Sequence, residues 1–430
     1  MLGYMLACRQ QWRGQKSLNV SRKRKLVRKN KNDAQSAASE NIRRNASSVK
    51  LPPRVARGTA GLAVAMGLGR FFYTPILPLM IASLGWTGQS SAWIATSNYA
   101  GYFVGSLAAS RGWVPVSKKL YKSALVLTAV LLGAVAFSGS PWWQVVIRFL
   151  AGISSALVFV SVTQNIPVVK RRAHDGGIVY AGVGLGILVS GAIVLMGGSA
   201  ISWQALWLIC AGVSAALSLV AWNWPIHKAS SGSSSNQRRN DRRQRSLFGP
   251  LGWLSAGYLF QGAGYIIIGT YLVVLAQPVF GQTAAASTWL LAGIATAPSP
   301  LLWSFVANRL GNFKALAACY TLQVAGAVVA VFISGPTLLF IAAALFGATF
   351  MGATMLTIEA GIKTGSPVAA ASLTTWYSLG QIMGPAVVAI AFSDSIDLSF
   401  IAAAILLMAG MIFTLCGARF TVSRADRVQA

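Results

Sequence analysis

Long apolar runs dominate the chain from about residue 58 onward, and short polar stretches separate them. The runs are roughly 18 to 26 residues long, which matches the ~20 residues that a helix needs to cross a hydrocarbon core ~30 Å thick. Their apolar positions neither alternate nor form one stripe, so each segment is apolar around its whole circumference. The pattern predicts twelve transmembrane helices, at residues 58–83, 90–110, 122–139, 142–165, 177–197, 201–224, 250–276, 285–307, 314–334, 336–360, 369–392 and 396–418.

These segments are expected to be helices and not barrel strands. Backbone polar groups within hydrocarbon must find partners inside the protein, which only helices and closed barrels achieve. Barrel strands are about 10 residues long and alternate apolar with polar side chains, whereas these segments do neither. The composition agrees, since 55% of the 430 residues are hydrophobic and 10% are charged. The predicted fold class is an all-α integral membrane protein.

Basic residues predict the orientation of the chain. They precede the first span and recur in alternate connections, for example at Lys118, Lys170 and Arg309, whereas the opposite connections contain none. Connections rich in Lys and Arg stay in the cytoplasm, so both termini are expected there, in a multi-pass protein of the cell membrane. The net charge of +28 is then explained by topology and by anionic lipid headgroups, and no nucleic-acid partner is expected.

Two hydrophilic segments are expected to divide the chain. Residues 1–56 are basic and poor in aromatic side chains, which is typical of a disordered cytoplasmic tail. A transit peptide, a lipid-binding arm and an extension from a misassigned start codon are all open for this tail. Residues 226–248 are rich in Ser and Arg and are predicted to be a flexible cytoplasmic linker. The linker would separate six-helix halves at residues 57–225 and 249–418, with a second cytoplasmic tail at residues 419–430.

The two halves show a weak internal repeat. An offset of 196 residues aligns pairs of identical residues: Gly61 with Gly257, Thr74 with Thr270, Trp93 with Trp289, and Gly184 with Gly380. A constant offset across several helices is typical of a parallel repeat, in which both halves cross the membrane in the same direction.

Several stretches resemble the major facilitator superfamily of secondary transporters, and within it the YbfB/YjiJ-type transporters. They are GLGRFFYTPILPLM, SNYAGYFVGSLAA, RFLAGISSALVF, GAGYIIIGTYL, STWLLAGIATAPSPLLW and LTTWYSLGQIMGP. The resemblance covers about residues 58–418 and implies the major facilitator fold, with twelve helices in two parallel six-helix repeats. Ala109 and Asn308 stand where the superfamily has an acidic residue in the loops after spans two and eight. The ion pair that usually braces those loops therefore lacks its carboxylate.

Three charged residues lie inside the predicted spans: Arg70, Arg148 and Glu359. From the helical rise, Arg70 lies ~18 Å from the start of its span, close to the midplane. An arginine at that depth costs roughly 2.5–3.5 kcal/mol or more unless it faces a cavity or a partner. The repeat places Ile266 opposite Arg70 and Ala344 opposite Arg148, so the charge belongs to the first half alone. Arginine suits carboxylates, which favours an anionic solute.

An alternative interpretation is that both arginines bind backbone carbonyls and fix helix packing. Pro75 and Pro78 lack backbone donors, so the first span is predicted to be broken, with carbonyls exposed. Broken helices in matching places also mark the substrate sites of transporters. The predicted substrate-binding residues are Arg70, Tyr73, Thr74, Asn98, Tyr102, Arg148, Gln261, Tyr265, Trp376 and Gln381.

Two roles are open for Glu359, near the cytoplasmic end of the tenth span. It can form a helical ion pair with Lys363, four residues later. It can also be the carboxylate that couples transport to protons, because buried acids are the usual relay groups. The four cysteines are spaced too widely for a disulfide framework or a metal site. No cofactor, metal or catalytic motif is expected, and the chain is not predicted to be an enzyme.

Together these patterns predict a secondary active transporter that moves a small organic solute by alternating access of its two halves. The resemblance favours proton-coupled export from the cell. The expected partners are the solute, membrane lipid and a coupling proton, and the protein is expected to be a monomer. A transport-inactive membrane sensor or scaffold is the alternative from another class.

Overall fold

A computed structural model describes residues 52–226, 250–391 and 396–429, apart from residues 171, 173, 199 and 367. Every regular element in the described residues is a helix. Most of the predicted amino-terminal tail and nearly all of the predicted linker lie outside the described residues. The disorder expected for those two segments therefore stays a prediction.

The first half contains helices α1 to α7. Their bounds are α1 Pro53–Leu62, a π-helical turn Ala63–Leu68, α2 Tyr73–Leu84, α3 Gly88–Arg111, α4 Lys118–Ala134, α5 Pro141–Val169, α6 Asp175–Gly197 and α7 Trp203–Ala221. Local sequence sets several of these starts. The side chains of Thr87 and Ser117 accept hydrogen bonds from backbone N–H groups in the first turns of α3 and α4, as N-cap residues do. Pro141 opens α5 at a position where a missing N–H is tolerated.

The second half contains α8 Pro250–Thr296, α9 Ser299–Leu310, α10 Asn312–Val331, α11 Pro336–Lys363, α12 Ala369–Ala391 and α13 Ile396–Gln429. The connection predicted at residues 277–284 contains a kink at Gly281, whose φ of 85° is non-helical and which glycine adopts without strain. The two parts of α8 on either side of this kink belong to separate apolar segments, Leu251–Val273 and Thr283–Leu310, as the sequence predicts. Within the second segment the helix is interrupted before α9, because Pro298 and Pro300 cannot donate to a helical ladder.

Ten helical segments in the described residues are long and apolar enough to cross a membrane. They correspond to ten of the predicted spans. The other two predicted spans coincide with α3 and α12, which have 24 and 23 residues. These two helices are richer in polar residues and pack against each other, with the hydroxyl oxygens of Ser106 and Ser378 3.4 Å apart. The all-helical membrane fold is confirmed, and the count of twelve spans stays a prediction.

Helix α6 of the first half uses glycines to pack closely against the π-helical turn of its own half and against two helices of the second half. Gly186 meets Gly67 of the π-helical turn so closely that a Cβ on either residue would overlap the other backbone. On the second half, Gly177, Gly184 and Gly191 lie against the backbone of α8 and α9. Their seven-residue spacing is two helical turns, so they form one small-residue face of the kind that lets helices approach closely in membranes.

Candidate functional site

The predicted first span is broken in the structure. The π-helical turn ends at Leu68, α2 begins at Tyr73, and the residues between them form a turn. The N–H of Gly69 donates to the carbonyl of Val64 at 2.8 Å, one residue further back than in an α-helix. Pro75 lies in the first turn of α2, where its missing N–H is tolerated. The break predicted from the prolines is confirmed, and it precedes Pro75.

Arg148 on α5 fills this break. Its Nη1 donates to the carbonyl of Gly69 at 3.0 Å, and its Nη2 donates to the carbonyl of Arg70 at 2.9 Å. The N–H of Thr74, which would bond the Arg70 carbonyl in a continuous α-helix, donates instead to Phe71 at 3.3 Å. Arg148 therefore takes acceptors that the helix break has exposed. This geometry matches the structural alternative that the sequence leaves open for Arg148.

Arg70 lies in the turn itself, has 2% of its side chain exposed, and contacts the second half. Its Nη2 donates to Oε1 of Gln381 on α12. Its guanidinium carbon lies 4.1 Å from the ring centroid of Tyr102 and 5.2 Å from that of Tyr99, as in a cation–π contact. Nε and Nη1 have no hydrogen-bond partner among the described residues. Unpaired buried donors are costly, so an acceptor that binds Nε or Nη1 would stabilise Arg70.

A small cavity of about 20 Å³ lies beside both arginines. Its described lining comes from both halves and consists of Arg70, Phe71, Tyr73, Thr74, Ala95, Tyr99, Arg148, Tyr265, Ile266, Gly269, Thr270 and Trp289. Three pairs of lining residues are related by the 196-residue offset: Arg70 with Ile266, Tyr73 with Gly269, and Thr74 with Thr270. The cavity therefore lies where the two repeats meet, which is where substrate sites lie in transporters built from repeats. In this conformation it has room for about one water molecule, so a solute would enter only when the halves move apart.

The predicted site residues fall into three groups in the structure. Some line the cavity: Arg70, Tyr73, Thr74, Arg148 and Tyr265. Two more, Tyr102 and Gln381, contact the guanidinium of Arg70. The remaining three, which are not part of the described lining, are Asn98, Gln261 and Trp376. Nδ2 of Asn98 donates to the Arg148 carbonyl at 2.9 Å. Gln261 is buried beside Gly410 of α13, and Trp376 is half-buried.

Several cavity residues are missing from the predicted set. Thr270 aligns with Thr74 in the repeat, so applying the offset to each predicted residue would have found it. Trp289 aligns with Trp93, which is not among the predicted site residues, so the offset alone does not find it. Phe71 gives no such signal, because a phenylalanine within an apolar run has no polar group that marks it as part of a site. A search for polar groups therefore finds the lining residues Tyr73 and Tyr265 but overlooks Phe71.

Comparison with known proteins decides the family. The sequence profile described as "Uncharacterised MFS-type transporter YbfB" matches residues 62–414, which is most of the chain. The chain belongs to this YbfB-type family of the major facilitator superfamily. The family consists of membrane transporters, which supports a transport function and a small-molecule substrate. A search of curated proteins finds no match to the sequence.

A solved structure confirms the fold of this YbfB-type transporter. The crystal structure of a mutant of the nucleoside transporter NupG matches it with a TM-score of 0.59, covering 86% of this chain and 100% of that chain. Sequence identity over the match is 14%. The likeness therefore shows the major facilitator fold and says nothing about the solute.

In the YbfB-type transporter, Glu359 joins the two halves. Its Oε1 lies 3.2 Å from Nζ of Lys170, the residue that follows α5, and both side chains are partly exposed. The predicted pair with Lys363 is therefore wrong, because a partner from the other half lies within reach. Gly176, in the first turn of α6, leaves room for the carboxylate, since a Cβ there would lie 3.1 Å from Oε1. The first turn of a helix is also a favourable place for negative charge.

Proposed function

We propose that the protein is a secondary active transporter that exports a small organic anion by alternating access, in exchange for protons. The observation that carries the proposal is the buried guanidinium of Arg70, whose Nε and Nη1 lack partners beside a cavity between the two halves. A cation in that position needs a counter-charge, and the described lining contains no acidic residue. A carboxylate of the solute would supply the missing acceptor.

Alternating access is supported by the way in which the site joins the halves. The turn that carries Arg70 belongs to the first half, and Gln381, its hydrogen-bond partner, belongs to the second. An anion that binds Nε and Nη1 would therefore act at a contact that has to change when the halves rock around the site. We place the transporter in the cytoplasmic membrane as a monomer surrounded by lipid, with both termini in the cytoplasm, on the basis of its alternating basic connections.

Arg70→Ala should weaken anion binding strongly. Charge-assisted hydrogen bonds contribute about 1.5–3 kcal/mol each, so affinity should fall roughly 10- to 100-fold. The measurement is a ligand-dependent thermal shift of the purified protein across a library of organic acids, sugars and amines, followed by counterflow in proteoliposomes. Arg70→Lys should bind weakly, because an ammonium group cannot reproduce the planar array of guanidinium donors.

Lys119→Ala is the control for this experiment, since it removes one positive charge from the exposed first turn of α4. It should bind and transport as the wild type does. Transport of a cation that is unaffected by Arg70→Ala would contradict the proposal of an anionic solute.

Glu359→Gln should remove the stimulation of transport by a proton gradient while counterflow of solute persists. Protonating Glu359 would neutralise its pair with Lys170, which links proton uptake to separation of the two halves at that end. Because the pair is partly exposed, its loss should change the balance of states by only about 0.5–1 kcal/mol, roughly two- to fivefold. The measurement is uptake into proteoliposomes with and without a pH gradient.

Lys363→Gln is the matched control, because Lys363 lies one turn further along α11 and is exposed. It should keep the response to the gradient. Full stimulation by the gradient in Glu359→Gln would rule out a coupling role for this carboxylate.

A further inference from the structure

The free hydrogen-bond donors of the cavity lie mainly on Arg70. Nε and Nη1 of Arg70 carry most of the N–H donors of its guanidinium, and neither has a partner among the described residues. Arg148 offers less, because its Nη1 and Nη2 already donate to the carbonyls of Gly69 and Arg70 and only its Nε lacks a partner among the described residues. Both arginines line the cavity, and no other charged side chain belongs to its described lining. A single carboxylate on Arg70 would satisfy most of these free donors, which favours a monoanion.

Much of the remaining lining is aromatic. Phe71, Tyr265 and Trp289 all line the cavity, and the ring centroids of Phe71 and Trp289 are 6.1 Å apart. Tyr265 stacks on Phe346, with centroids 5.4 Å apart and 5° between the planes, and on Phe350 at 5.0 Å. These outer rings hold the lining rings in fixed orientations. A ligand that enters between the halves would therefore meet rings whose orientation is set by their aromatic neighbours.

We propose that the solute is a planar aromatic monocarboxylate, with its carboxylate on Arg70 and its ring against Phe71, Tyr265 and Trp289. This inference rests on the proposed transport function and names the class of solute for it. Aromatic rings attract each other in offset-stacked and edge-to-face arrangements, which a saturated ring cannot form. The cavity holds only about 20 Å³ in this conformation, so the acid would bind when the two halves separate and the lining rings part. Neutral aromatic compounds would leave Arg70 without its acceptor, and aliphatic acids would leave the aromatic surface unused.

The test is a ligand-dependent thermal shift of the purified full chain with four probes. Benzoate is an aromatic monoanion, cyclohexanecarboxylate lacks the aromatic ring, benzamide lacks the charge, and phthalate carries a second charge. We expect benzoate to bind about tenfold more tightly than cyclohexanecarboxylate, and more tightly than benzamide and phthalate. Counterflow of labelled benzoate in proteoliposomes should follow the same order. Equal or tighter binding of any of the other three probes would overturn the inference.

Phe71→Leu tests the aromatic surface directly. It should weaken benzoate binding about fivefold and leave cyclohexanecarboxylate binding unchanged, so that the ratio of the two affinities falls. Phe137→Leu makes the same change at a residue that is 80% exposed, and its ratio should stay that of the wild type. If Phe71→Leu does not fold, Trp289→Leu provides the same readout. An unchanged ratio in the folded variant would overturn the inference.

Failure of this inference can be told apart from failure of the proposed function. Binding and counterflow of aliphatic acids that depend on Arg70, without a preference for benzoate, would overturn the aromatic class and leave the anion transporter intact. If no anion binds or moves in an Arg70-dependent way, both proposals fail.

Discussion

Replacing Arg148 with alanine should lower the thermal stability of the purified transporter and abolish its solute binding at the same time. Arg148 donates to the carbonyls of Gly69 and Arg70 within the broken turn. Its removal leaves two acceptors without their donors at a buried position, where an unmade hydrogen bond costs about 1–3 kcal/mol. Since Arg70 sits in the same turn, a rearrangement of this backbone also displaces the free guanidinium from the cavity.

The measurement compares melting temperatures and ligand shifts of Arg148→Ala with those of Arg70→Ala. Both variants lose one buried cation, but among the described residues Arg70 donates to one side chain, that of Gln381, whereas Arg148 donates to two backbone carbonyls. Arg70→Ala should therefore lose binding with a smaller loss of stability. Arg148→Lys should be intermediate, because one ammonium group cannot reach two carbonyls with the planar geometry of a guanidinium. A wild-type melting temperature for Arg148→Ala would show that Arg148 does not hold the turn.

The helical membrane fold could be predicted from hydropathy because the hydrocarbon core imposes it on any chain of this composition. The turn-forming residues around Gly281 also predict the break between the seventh and eighth spans, where the structure has a kink. The interruption at Pro298 lies inside the eighth span, so hydropathy gives no sign of it and only the prolines do.

The burial of Arg70 and Arg148 could also be predicted, since the cost of a charge facing hydrocarbon favours positions inside the bundle. Their different roles could not, because they depend on which atoms lie opposite each guanidinium. Arg148 meets backbone carbonyls from a helix distant in sequence, whereas Arg70 meets aromatic faces and one amide. Glu359 shows the same limit. Lys363 was the obvious partner along the helix, but Lys170 from the other half lies closer in space.

Gly184→Ala should lower both stability and transport, because a Cβ at this position has no space. It would overlap the backbone N and Cα of Ala297, at the junction between α8 and α9. These are main-chain atoms, so no side-chain rotation can relieve the overlap, and α6 would have to move away from the second half. Overpacking of this kind costs about 1–3 kcal/mol. Thermal unfolding and counterflow in proteoliposomes measure the two effects.

Gly212→Ala is the matched control, since Gly212 is exposed on α7 and a Cβ there meets nothing within 4 Å. It should transport normally and be slightly more stable, because alanine favours a helix over glycine by about 1 kcal/mol. If Gly184→Ala behaves like this control, close packing of α6 against α8 and α9 is not needed for transport. If Gly184→Ala loses counterflow and Gly212→Ala does not, transport requires a state in which the backbone of α6 touches the junction of α8 and α9. The small-residue face of Gly177, Gly184 and Gly191 is then the surface on which they move.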